Sequence, residues 1–208
     1  MPETLNIHPD RISPRAISRA VEILRAGELA ILPTDTGYAI VCSLDNKNGL
    51  KSLNRIKNVT AEDTKKPLSV LFSDLSDIAQ YVHSMPNPVF RTLRRTLPGP
   101  YTFILRANKR LRAASLKGRN TLGIRVPDNA IASQILSELG SPLLATSAKP
   151  PTEDDFLIDP LEIPENTDVS IGLVIDSGPI YTEPSTVVDF SSGDAEILRE
   201  GKGPVEAL

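Results

Sequence analysis

Among 208 residues there is one cysteine, Cys42, and there are two histidines, His8 and His83. A single thiol excludes an internal disulfide and any multi-cysteine zinc site. Two histidines so far apart in sequence leave neither a zinc hydrolase nor a Ser-His-Asp hydrolase its usual parts. Cys42 ends an apolar run and reads as a buried packing residue. No apolar stretch approaches the roughly 18 residues that span a bilayer, and "MPETLNIHPDR" has no basic start leading into an apolar stretch. Neither a membrane span nor a secretory signal is therefore expected, and a reducing, cytoplasmic setting fits. Also missing are a Gly-rich loop ending in Lys-Ser or Lys-Thr, a dinucleotide glycine fingerprint and any internal repeat. A nucleotide site in this chain has to be assembled in another way.

One sign of charge is absent over a long stretch. Between Asp77 and Asp128 there is no acid, while Arg91, Arg94, Arg95, Arg106, Lys109, Arg110, Arg112, Lys117, Arg119 and Arg125 supply ten positive charges. After Lys149 the balance reverses, with fourteen Asp or Glu against Arg199 and Lys202. Segregation of this kind makes a local positive field on a chain whose net charge is −3, and nucleotides or RNA are its natural partners. A plainly solvated surface is the alternative reading of the same residues.

With 40% hydrophobic and 24% charged residues, the chain has globular composition and a length suited to one domain, 1–208. "SPRAISRAVEILRAG" predicts a helix with Ser13 as N-cap, Pro14 at the first position and Gly27 past the end. "LAILP" and "YAIVC" predict strands, "NKNGLKSLNRIKN" a helix, and "PLSVLF" a strand. "SDLSDIAQYV" predicts a short helix capped by Ser73, and 87–96 another with Val89, Phe90 and Leu93 inward. "YTFILRA", "TLGIRVP" and "PLLATS" read as strands, with "DNAIASQILSELG" a helix closed by Gly140. Residues 149–168 are proline-rich and acidic and predict a long loop or short helical turn, before the closing strands "IGLVID", "STVVDF" and "AEILRE". The expected fold is α/β, a twisted open mixed sheet flanked by helices.

Several strands end in hydroxyls or arginine: "PTDT", "ATSAK", "PSTVV", "IRVP" and "ILREG". Such groups at the strand ends of an open sheet can converge on one crevice and bind carboxylate or phosphate by charge-assisted hydrogen bonds. Taken one at a time, a Thr or Ser there is more often a turn or capping residue, and an Arg a surface or salt-bridge residue.

In order, "LPTDTGYAI", "KPLSVLF", "LPGPYTFIL", "LGIRVP", "PLLATSAK", "PSTVVDF" and "ILREG" resemble the YrdC-like domain family, which includes the threonylcarbamoyl-adenylate synthases. The matches run from about residue 13 to 203, and their wording is most similar to the YciO branch. The resemblance implies a sheet around a positively charged cavity that takes L-threonine, bicarbonate and ATP with Mg2+. The product would be threonylcarbamoyl-AMP, on the route to the threonylcarbamoyl modification of tRNA adenosine. It implies no tightly bound cofactor. Carried over by position, Thr34, Arg125 and Ser185 would meet the amino-acid side, Arg125 taking its carboxylate. Lys57, Thr121, Ser147 and Arg199 would face the nucleotide. The resemblance also implies an alternative role in binding double-stranded RNA or tRNA, through Arg91, Arg94, Arg95, Arg106, Lys109, Arg110 and Arg112.

The chain departs from the synthase pattern at definite places. Val59 stands where a Lys-x-Arg motif would have its arginine, and Lys66, Leu71 and Lys149 replace an Asn, a His and an Asn. The turn is "PTDTGYAI" where synthases have the type "PTETVYGL", so Gly37 and Ala39 are altered. Losing a phosphate-contacting arginine costs about a hundredfold in rate, and Lys65, Lys66 or Lys149 would restore charge without the guanidinium fork. Weak or altered synthase activity is the resulting expectation.

Overall fold

The computed structural model describes residues 1–57, 68–111, 120–148 and 157–208. Its elements run β1 (Glu3–Asn6), α1 (Pro14–Arg25), β2 (Ala30–Thr34), β3 (Gly37–Ser43), α2 (Lys47–Ile56), β4 (Ser69–Leu71), α3 (Leu75–Ala79) and α4 (Asn87–Thr96). They continue with β5 (Tyr101–Arg106), β6 (Thr121–Arg125), α5 (Ala130–Leu139), β7 (Leu143–Ser147), β8 (Leu157–Ile158), β9 (Leu173–Asp176), β10 (Ile180–Tyr181), β11 (Thr186–Asp189) and β12 (Glu196–Arg199). Ten strands form one mixed sheet in the order β1-β9-β2-β3-β7-β4-β6-β5-β11-β12, and β8 pairs with β10 apart from it. This is the mixed sheet with flanking helices that the alternation of apolar runs predicts.

Strand periodicity divides the core. Ala30, Leu32, Ala39, Val41, Leu71, Leu143 and Ala145 lie under α1 and α5, whereas Ile31, Ile40, Cys42, Val70, Leu144, Ile124 and Phe103 join the larger cluster on the other face. Gly49 on α2 lies so close to Cys42 that a Cβ there would come within 2.7 Å of the sulfur. The thiol is fully buried, and burial pushes its pKa up to about 12. Cys42 of the folded protein is accordingly expected to stay unlabelled by a disulfide-exchange reagent at pH 8 and to react fully in denaturant, as a spectrophotometric thiol assay would record.

Several local expectations are corrected. The cap of α3 is Asp74, whose carboxylate accepts from the Asp77 N–H at 2.9 Å, while the Ser73 hydroxyl donates to the Asp77 carboxylate instead. Ser13 stands at the N-cap of α1 without a side-chain hydrogen bond; its backbone carbonyl accepts from Ala16 N at 3.0 Å and Ile17 N at 3.1 Å, and Pro14 supplies the helical φ at the first position. Phe90 is 40% exposed, since the inward face of α4 is Val89, Leu93 and Thr96, one turn apart. Strands β1, β8 and β10 are additions: β1 is a short edge strand and β8 and β10 pair only with each other, with little apolar alternation to mark any of them. Of the loop expected at 149–168, residues 149–156 lie outside the described residues, and 157–168 hold β8 and a single 3-10 turn, Pro164–Asn166.

Candidate functional site

On the face that α1 and α5 cover, the apolar cluster stops at Leu71 and Ala145. Register places Leu71 beside Arg125 and Ser69 beside Gly123, and Ser69 and Thr102 flank the space above Gly123. A Cβ on Gly123 would stand 3.1 Å from Thr102 Cγ2 and 3.3 Å from Ser69 Oγ, so glycine lets these two side chains close over β6 and form a floor. Beyond the floor lie the polar side chains.

Arg125 ends β6 and is buried; its Nη2 donates to Asp35 Oδ1 at 2.7 Å, with 8% of each side chain exposed. Burial pulls the Arg125 pKa down, Asp35 opposes this, and the nearby charge of Arg199 lowers it further. Arg199 ends β12 and donates through Nε and Nη2 to the Ser185 carbonyl at 3.0 and 2.8 Å; burial lowers its pKa as well. The Ser185 hydroxyl is 2.7 Å from Thr102 Oγ1, which binds β11 to β5 at the site. Thr102→Val is expected to cost about 1 kcal/mol by urea unfolding, one buried hydroxyl pair lost.

After β12 the chain turns back under the site. Thr186 Oγ1 donates to the Gly203 carbonyl at 2.5 Å and accepts from Gly201 N at 3.0 Å. Lys202 Nζ then reaches the backbone carbonyl of Asp35 at 2.6 Å. Three cations thus gather near one carboxylate: Arg125 pairs with Asp35, Lys202 holds its backbone carbonyl, and Arg199 lies close enough to Arg125 to act on its charge, an excess of positive charge suited to anions.

The turn 34–37 carries its chemistry on its second residue. Thr34 Oγ1 donates to the Gly37 carbonyl at 2.6 Å and accepts from Thr36 N at 3.2 Å, so this hydroxyl closes the turn. Asp35 is the outward group, left with Oδ2 unbonded. Among the described residues, three buried side-chain polar atoms lack a hydrogen-bond partner: Asp35 Oδ2, Arg125 Nε and Thr182 Oγ1. Unsatisfied buried groups are rare and each costs about 1–3 kcal/mol. Here all three border one turn: two belong to the Asp35–Arg125 pair, and Thr182 packs on Gly37.

The sequence-predicted residues fall into two groups. Arg125, Ser185 and Arg199 come together, so Arg199, expected on the nucleotide side, stands with the amino-acid group. Ser69 pairs with both Gly123 and Ala145, which puts Thr121 and Ser147 at one shared end of β6 and β7 on the site's face. Two strand spacings separate them, about 10 Å, and four residues of β6, about 13 Å, separate Thr121 from Arg125. Lys57 follows α2 as its C-cap. Val59, Lys65, Lys66, Arg112 and Lys149 lie outside the described residues. Of the other basic residues, Arg95 Nε donates to the Ala207 carbonyl at 2.7 Å, Arg106 Nε to the Ser191 carbonyl at 2.6 Å, and Arg110 lies over the Tyr81 ring. Arg91, Arg94 and Lys109 are exposed. Nothing local in the sequence marks Thr102 or Thr182 as ligand groups, and only the place of Asp35 between two threonines and of Lys202 between two glycines hints at the other two.

The Sua5/YciO/YrdC family model, described as telomere recombination, matches residues 22–201. The chain is 35% identical over 207 residues to the uncharacterized protein YciO of Escherichia coli K12, covering 99% of this chain and 98% of that one. It is 32% identical over 197 residues to the threonylcarbamoyl-AMP synthase of Bos taurus, covering 89% and 68%. The E. coli YciO crystal structure superposes with a TM-score of 0.88 at 35% identity, over 100% of this chain and 99% of that one. P. abyssi Sua5 complexed with L-threonine superposes with a TM-score of 0.82 at 24% identity; 98% of this chain spans 59% of it.

Proposed function

The chain belongs to the Sua5/YciO/YrdC family, and from that premise we propose that it binds an adenosine nucleotide, ATP or AMP, together with an amino-acid moiety, as threonylcarbamoyl-adenylate. Its relatives include threonylcarbamoyl-AMP synthases, so the proposed chemistry is that of L-threonine, bicarbonate and ATP with Mg2+, run weakly or in altered form. The observation that carries this reading is the unfinished pair at the site. Arg125 Nε is a buried donor awaiting an acceptor, and Asp35 Oδ2 a buried acceptor awaiting a donor. A threonine moiety offers one carboxylate and, on the same carbon, one nitrogen donor, an ammonium in the free amino acid and a carbamoyl N–H in the adenylate, and so completes both. Arg199 and Lys202 would meet the carbamoyl-phosphate portion as charge shifts onto it, and the hydroxyls of Thr121, at the start of β6, and of Ser147, which pairs with Ala39 beside the 34–37 turn, the nucleoside. The roughly 13 Å between Arg125 and Thr121 suits an aminoacyl-nucleotide lying along β6.

Purified protein given ATP, L-threonine and bicarbonate is expected to release pyrophosphate only when all three are present, or to turn over supplied threonylcarbamoyl-adenylate. Absence of both activities, with no binding of AMP or threonine by calorimetry, would overturn the proposal. A second reading, RNA binding, is supported by α4, which places exposed Arg91, Arg94 and Arg95 at one-turn spacing. If it holds, tRNA or duplex RNA affinity falls steeply with salt and weakens on changing Arg91 and Arg94 to Glu; salt-independent binding counts against it.

A further inference from the structure

Gly37 has φ +111°, and a Cβ on it would come within 2.9 Å of Thr182 Oγ1. The side chain of Thr182 therefore fills the volume that a residue with a side chain at position 37 would use. What it brings there is a hydroxyl that is buried and has no partner among the described residues. The segment carrying it is fixed. Tyr38 OH donates to the Gly178 carbonyl at 2.7 Å and accepts from Ser177 N at 3.1 Å, and β10, immediately before Thr182, pairs with β8. Thr182 is thus held from a separate part of the chain against the same turn that presents Asp35, and Asp35 bridges to Gly37 across that turn.

We propose that Thr182 is a specificity-determining residue of this site, its hydroxyl hydrogen-bonding the side-chain hydroxyl of an amino acid whose ammonium and carboxylate meet Asp35 Oδ2 and Arg125 Nε. The inference rests on the amino-acid half of the proposed function and adds to it the group that reads the side chain. A hydroxyl is both donor and acceptor, so a ligand hydroxyl satisfies it in either sense, whereas a ligand with a methyl in that place leaves it stranded. The exchange is reciprocal in space: glycine at 37 admits Thr182, and Thr182 replaces whatever apolar contact a larger residue at 37 would make.

Calorimetric titration of the full-length protein with L-threonine and with L-2-aminobutyrate, which keeps the carbon skeleton and lacks the hydroxyl, tests this. The wild type is expected to prefer threonine about tenfold, the worth of one buried hydrogen bond. Thr182→Val is expected to bring the two ligands within about twofold, Thr182→Ser to keep the preference, and neither to change AMP affinity. Equal binding of the two ligands by the wild type, or a preference that survives in Thr182→Val, overturns the role of Thr182 and leaves the proposed function standing. Failure of the wild type to bind either amino acid or AMP, together with no turnover of threonylcarbamoyl-adenylate, overturns both.

Discussion

Arg125→Met, with Asp35 left in place, is expected to lower the unfolding free energy by about 3–5 kcal/mol and to abolish binding of the amino-acid ligand. The side chains of both partners are 8% exposed, so removing the guanidinium strands a carboxylate with little water to replace its partner. The converse variant, Asp35→Leu, strands the guanidinium and should cost a similar amount. Replacing both, Arg125→Met with Asp35→Leu, removes two charges whose desolvation is itself expensive, and most of the stability should return. Binding should not. Urea unfolding of the four proteins in a double-substitution cycle, with calorimetry alongside, separates the two consequences. A single Arg125→Met variant as stable as the wild type would mean that Asp35 finds another partner.

Gly201→Ala should do the reverse, harming the site far more than the fold. A Cβ at residue 201 would lie 2.2 Å from the Pro184 carbonyl oxygen and 2.8 Å from that of Ser185, both backbone atoms that cannot swing aside. The chain must shift, and residue 201 has Arg199 two positions before it and Lys202 directly after it. Both cations move with the backbone. A displacement near 1 Å at groups that position a reacting anion costs about a hundredfold in rate or affinity. Thermal unfolding should change little by comparison, because 199–203 packs few apolar side chains. Nucleotide and threonine affinities both intact in Gly201→Ala would exclude Arg199 and Lys202 from the ligand's contacts.

The helices and central strands were legible in the sequence because each has a strong local mark. Proline at the start and glycine past the end bound α1, and Asn129 and Gly140 bound α5, whose cap accepts from Ile131 N and Ala132 N. β2, β3 and β7 each hold a continuous apolar run, 30–32, 38–42 and 143–145, in a doubly covered sheet. The margins were not legible: β1 is made of "ETLN", whose burial alternates without an apolar period to match, and it exists because β9 offers an edge. The family motifs marked Arg125, Ser185 and Arg199, whose residue types suit anions wherever they fall. Asp35 and Lys202 escaped the same reading because their importance is relational. An aspartate between threonines is an ordinary turn residue until Arg125, ninety positions on, is found against it. Thr182 had no local signal at all; its partner is the absence of a side chain at Gly37.

The bond from Lys202 to the Asp35 carbonyl spans 167 positions of sequence. Contacts of such separation are the last for which folding recovers the entropy of closing the chain, so the local elements and neighbouring strand pairs can form well before it. The cationic site is then a late product of folding, present only when the first turn and the final strand have both arrived. A ligand that bridges them is selective for the completed fold over every partly folded chain. Its binding energy adds to the stability of the whole domain, rising with the logarithm of ligand concentration, and an unfolding curve should report occupancy as faithfully as any assay of the site itself.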